Sequence, residues 1–112
     1  MDYLGEFELM VMLAVLRLAG SAYGMTIRRE IMDVGGRSAS LGAVYTTLER
    51  LEDKGFLSSA VGEVTEERGG RAKKYFKITA SGAAAVKRSL KSTEAMKAGL
   101  GPAWSGAYEL AR

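Results

Sequence analysis

Between Leu9 and Gly20 the chain carries a single charged residue, Arg17. Over residues 4–18 the apolar positions are Leu4, Phe7, Leu9, Met10, Val11, Met12, Leu13, Val15, Leu16 and Leu18. A helix that is apolar on nearly every side has to be covered on more than one. In a chain of 112 residues one side can face the chain's own modest core, and the other calls for a second chain. The run 9–16 is too short to span a bilayer. Glu6 and Glu8 stand where a signal peptide would carry cations. The expectation is a soluble, cytoplasmic protein with no membrane partner.

Two further helices follow in the pattern. Gly20 reads as the stop of the first, and Ser21 as the N-cap of a second helix reaching about Val34, with Tyr23, Ile27, Ile31 and Val34 on one stripe. Gly35 and Gly36 end it. A short polar linker leads to Ser40, the expected N-cap of a third helix over residues 41–54. There Leu41, Val44, Tyr45, Leu48 and Leu51 read as the buried side. Gly42, Ala43, Thr46, Thr47 and Arg50 form an outward stripe spaced by threes and fours, with Glu49 and Glu52 on its flanks. Gly55 suits the residue just past the helix.

After Gly55 the period changes. Residues 57–64 (LSSAVGEV) and 73–78 (KKYFKI) read as two short strands, with Gly69-Gly70 in TEERGGRA supplying the turn between them. Thr79 then caps a fourth helix whose face is Ala83, Val86, Leu90, Thr93 and Met96, broken by Gly99, Gly101 and Pro102. The fold class expected is mainly α with a small β-hairpin (α+β): a winged helix-turn-helix over residues 1–78, with a dimerisation helix and tail over 79–112.

Charge and composition narrow the chemistry. The net charge is +3, but residues 57–91 hold 8 Lys/Arg against 3 Asp/Glu, while residues 1–56 hold 6 against 8. A basic hairpin on a near-neutral protein points to an anionic partner. Neither Cys nor His is present, which removes thiolate nucleophiles, Cys-ligated metals and the usual general base near neutral pH. No enzymatic activity, metal or cofactor is expected. The order of elements supplies a function instead. A recognition helix needs a small, polar face so that its backbone can approach base edges, and Gly42, Ala43, Thr46 and Thr47 provide one. A wing needs cations at a thin tip, and Arg68, Arg71, Lys73 and Lys74 flank the glycine pair.

The run SLGAVYTTLERLEDKGFL (40–57), the wing residues Gly69-Gly70-Arg71 and the run KYFKITASG (74–82) resemble the PadR family of bacterial and archaeal transcriptional regulators. Tyr23-Gly24 followed by Ile27 is similar to the family's opening of its second helix. The resemblance covers residues 4–90 and fits the short branch with one C-terminal helix. It implies a homodimeric, ligand-responsive repressor on an inverted-repeat operator in double-stranded DNA, and so a place at the nucleoid. It also implies that Ser40, Ala43, Tyr45, Thr46 and Thr47 meet the DNA, with Arg71, Lys73 and Lys74 gripping the backbone. Thr46 stands where many members have proline, so base preference does not transfer.

Several residues carry two readings. Tyr45 serves the core, a phosphate, or both. Arg50 either pairs with Glu49 or Asp53 or contacts phosphate. The first and last helices are the expected dimer interface, through Leu4, Phe7, Val11, Val86 and Leu90. Met10, Ala14 and Trp104 are the candidates for a pocket taking a small planar effector, the alternative for Trp104 being packing on the partner's first helix. The competing function is a winged-helix protein–protein module without DNA binding, suggested by Glu49, Glu52, Asp53, Glu66 and Glu67.

Overall fold

The apolar opening stretch becomes α1 (Glu6–Leu18) in a computed structural model that describes residues 3–64, 72–103, 106 and 110. Glu6 and Glu8 sit in its first turn, where acids favour the helix dipole. The Glu8 carboxylate also accepts the Gly5 N–H at 2.8 Å. The left-handed stop falls on Ala19 (φ 42°), one residue before the expected Gly20, which follows at φ 100°. Val11, Met12, Ala14 and Val15 are buried, whereas Leu16 is half exposed.

The second helix, α2 (Gly24–Asp33), starts later than the sequence suggests, with Tyr23 rather than Ser21 as N-cap. Thr26 explains the shift. Its hydroxyl accepts the Tyr23 N–H at 3.0 Å and lies 2.7 Å from the Ser21 carbonyl, so Ser21 is held outside the helix. Ile27 and Ile31 point into the core, but Val34 is exposed.

Ser40 caps α3 (Leu41–Asp53) as expected, its hydroxyl accepting the Ala43 N–H at 3.1 Å. The far end closes with Gly55 at φ 79°. The Gly55 N–H bonds the Glu52 carbonyl and the Phe56 N–H reaches back to Leu51, both at 2.9 Å. Those two bonds form a Schellman stop, in which only glycine takes the left-handed step without strain. Phe56, just beyond it, is buried.

The hairpin follows. β1 (Leu57–Val64) pairs antiparallel with β2 (Ala72–Ile78) from Leu57↔Ile78 to Val64↔Ala72, with an irregularity between Val61 and Val64. It is tied to the helices by the Phe76 N–H, which donates to the Ala22 carbonyl at 2.8 Å. Thr79 caps α4 (Ala80–Lys97), accepting the Gly82 N–H at 3.0 Å and donating to the Gly55 carbonyl at 2.6 Å.

The buried stripe of α4 is Gly82, Ala85, Val86 and Ser89. Of the face expected from sequence, Leu90 and Met96 point away from the core. Small residues let α4 come close to α1, and the Ser89 hydroxyl accepts the Leu4 N–H at 3.0 Å. No helix among the described residues is long and apolar enough to cross a membrane. The architecture is mostly helical with a two-stranded wing, α1 lying at the centre against α2, α3, β2 and α4.

Candidate nucleic-acid interface

The surface of α3 is decided by which residues its core side uses. Val44, Thr47, Leu48 and Leu51 are buried, at i, i+3, i+4 and i+7. Thr47 is only 5% exposed. The expectation that it faces outward is therefore wrong. Thr47 completes the inward stripe, and Tyr45, read from sequence as part of that stripe, is 46% exposed instead. The outward face is Gly42, Ala43, Tyr45, Thr46, Glu49, Arg50 and Asp53. Its first half carries no charge and its second half carries acids. The helix is held from below by the linker, where Arg28 Nε donates to the Ala39 carbonyl at 2.7 Å, beside the Ser40 cap.

Beyond its uncharged half, α3 is surrounded by ion pairs that sequence reading did not find. Glu8 of α1 is 8% exposed. It receives Lys54 Nζ at 3.0 Å and lies 3.9 Å from an Arg50 guanidinium nitrogen. Arg50 thus leans to α1 rather than to Glu49 or Asp53. Burial alone would push the Glu8 carboxyl up, but the Gly5 amide, Lys54 and Arg50 together hold it below its ordinary value. The signal was present in the sequence. Glu8 precedes Val11, Met12 and Val15 by three, four and seven residues, which places it on the buried face of its helix.

The wing is fastened to α3 by Glu52. That carboxylate accepts the Ser59 hydroxyl at 2.5 Å and pairs with Lys74 at 3.5 Å. The Ser59 bond outweighs an upward push from burial and, with help from Lys74, holds the carboxyl below its ordinary value. The other face of β2 meets α2. Lys73 Nζ lies 4.4 Å from the Tyr23 ring centroid, and Tyr75 packs edge-on against the same ring at 5.5 Å. Lys73 and Tyr75 share one face of the strand, and Lys74 and Phe76 the other, as the two-residue period requires. Lys73 and Lys74, at the turn-proximal end of β2, therefore begin from cation–π and ion-pair contacts. Arg71 lies outside the described residues, as do Arg68, Glu66, Glu67 and the glycine pair.

The remaining expectations divide. Val11 and Val86, expected at the dimer interface, are 0% and 4% exposed. They belong to the core of the single chain, because α1 and α4 pack on each other within it, and present no surface to a second copy. Leu4 and Phe7 are half-buried against that core, and Leu90 is 41% exposed. Met10 and Ala14 line an open apolar groove of about 340 Å³ between α1 and α2, together with Leu13, Leu16, Ile31 and Val34. Trp104, their expected companion, is outside the described residues.

Comparison with known proteins places this arrangement. The model of the transcriptional regulator PadR-like family matches residues 12–88. A PadR-like transcription factor from Bacteroides fragilis is 25% identical, with a TM-score of 0.70 over 81% of this chain and 82% of that one. A PadR family regulator from Clostridium difficile R20291 is 20% identical, with a TM-score of 0.68 over 87% and 96%. One from Eggerthella lenta DSM 2243 is 24% identical, with a TM-score of 0.68 over 86% and 83%. No curated protein matches the sequence. At these identities the structures speak for the shared winged-helix fold.

Proposed function

The chain belongs to the PadR-like family of transcriptional regulators, and from that premise we propose that it is a homodimeric repressor binding an inverted repeat in double-stranded DNA. The observation carrying this reading is the uncharged, small-residue face at the start of α3, set beside a cationic hairpin. A phosphate-lined groove repels Glu49 and Asp53, so the helix enters by its N-terminal half. That is the half a helix-turn-helix presents to base edges. Ser40, Ala43, Tyr45 and Thr46 then meet the DNA at the groove, and Arg71, Lys73 and Lys74 meet phosphates from the wing, Lys74 exchanging Glu52 for a phosphate oxygen. Arg50, leaning on Glu8, sits at the margin of the footprint.

Surface left uncovered supports a dimer. Leu90, Met96 and Leu100 on and after α4 are exposed, as are Leu16 and Val34 on the rim of the α1–α2 groove. We assign both surfaces to a second copy, whose two-fold axis spaces the recognition helices about one helical turn, ~10 bp, apart.

Fluorescence anisotropy on its own promoter region tests the reading. With ~6–10 phosphates engaged, affinity falls roughly 10³–10⁵-fold between ~50 and ~200 mM salt. A promoter–reporter fusion tests the sign, with repression expected. The competing reading, a protein-binding module, draws on the exposed acids Glu49 and Asp53. It predicts that no salt-sensitive DNA retention is seen.

A further inference from the structure

Tyr45 lies on the outward face of α3, half exposed, with one side of its ring against α2. Its ring rests on the backbone of Gly24, the first residue of α2. The three atoms nearest to a Cβ placed on Gly24 all belong to Tyr45: Cζ and Oη at 2.5 Å and Cε1 at 2.7 Å. Any other residue at position 24 would therefore occupy the space of the phenol. Gly24 is itself buried in ordinary helical backbone, so no turn or positive φ accounts for glycine there. The missing side chain is used as a seat.

We propose that Gly24 is a positioning residue for DNA binding, acting through Tyr45, whose hydroxyl it holds at the corner between α2 and α3 for donation to a DNA phosphate oxygen. The proposal rests on the DNA-binding reading above. In a helix-turn-helix the first of the two helices crosses the sugar–phosphate backbone while the second lies in the groove. The seat joins those two elements, with the phenol hydroxyl over the first turn of α2. The amides of that turn favour an anion in the same place. An exposed tyrosine on a helix otherwise distributes over rotamers, and ordering it on binding costs affinity. A ring already seated against backbone has lost that freedom in the free protein.

The test is a double-mutant cycle of Gly24→Ala and Tyr45→Ala, read by anisotropy on promoter DNA and by thermal unfolding. Each single variant is expected to weaken binding by about tenfold, the loss of one hydrogen bond to a charged group. In the Tyr45→Ala background, Gly24→Ala should change nothing further. The thermal midpoint of Gly24→Ala should hold or rise, since alanine favours helix over glycine and the obstructing ring can swing into solvent. A glycine kept only for packing against groups other than Tyr45 would lower the midpoint in both backgrounds.

Wild-type affinity in Gly24→Ala overturns the assignment, and so does an equal loss in both backgrounds. If Gly24→Ala lowers the midpoint, adding Tyr45→Ala must restore it; a midpoint left low places the clash elsewhere and overturns the seat. If Tyr45→Ala binds as wild type while salt-sensitive binding persists, the phosphate contact and its seat fall together and DNA binding stands. If wild type itself shows no salt-sensitive binding, the functional reading fails and takes the seat with it.

Discussion

Two adjacent threonines divide the outward face of α3, proposed to read DNA, from the side that holds the helix to the core. Thr46 is exposed and Thr47 is 5% exposed among Val44, Leu48 and Leu51. Thr47→Ala should cost about 1 kcal/mol of stability through lost packing and leave sequence preference alone. Thr46→Ala should leave the thermal midpoint unchanged and alter preference among operator variants. Thermal unfolding and a competition titration over point-mutated operators read the two effects, and the opposite assignment would exchange them. Sequence periodicity located α3 but picked the wrong flank of its buried stripe. Leu41, Val44, Leu48 and Leu51 admit either Tyr45 or Thr47 beside them, and hydrophobicity favours tyrosine. The choice is settled by Gly24 on another helix, which offers the ring a place outside the core. That information is not local to residues 41–54.

At the scale of elements, the caps and stop at Ser40, Gly55 and Thr79 were legible, the Ser21 cap and Gly20 stop were misplaced by one or two residues, and pairings between elements were not legible. Ser40, Gly55 and Thr79 act through backbone groups one to three residues away, so their chemistry can be read along the chain. The α4 stripe was missed because Gly82, Ala85 and Ser89 carry little hydrophobic signal. Their value lies in being small enough for close approach to α1 and to the end of α3. A Cβ at Gly82 would meet the Phe56 carbonyl and the Met12 methyl. Backbone cannot move aside as a side-chain end can, so Gly82→Ala should destabilise by about 2–3 kcal/mol and lower the midpoint in circular dichroism by roughly 10 °C. The tie between α1 and α3 makes a different prediction. Glu8 has a lowered pKa in the folded state. Its contribution is present above the unfolded carboxylate value, about 4.3, and is lost as pH falls through the folded one. Stability should be flat near neutrality and drop below about pH 4.3. Glu8→Gln should lower the neutral-pH plateau by about 1 kcal/mol and shrink the acid drop. An acid limb of unchanged size in Glu8→Gln would remove Glu8 from the account.

The whole molecule is longer than its core requires. Its radius of gyration is 16.7 Å, against roughly 13 Å for a compact domain of this length. In the outer half of α4, residues 90–97 are all exposed. Helical turns that touch nothing are marginal in water, and Leu90, Met96 and Leu100 give these an apolar side to bury. The central apolar helix, which first suggested a second chain, is satisfied more fully by its own protomer than its composition implied, with Val11 and Met12 both at 0% exposure. The surface proposed above for a second copy is therefore on α4 and at the rim of the α1–α2 groove. Leu90→Glu tests this without touching the core, because a 41% exposed side chain contributes little to the fold of one protomer. Sedimentation equilibrium at micromolar concentration should show a dimer for wild type and a monomer for the variant, with some helical signal lost as the outer turns of α4 fray. A monomer reads only one half-site, so the variant should bind single half-sites as wild type does and lose the added affinity for the inverted repeat. A dimeric Leu90→Glu protein would return the interface to Leu4 and Phe7 at the start of the chain.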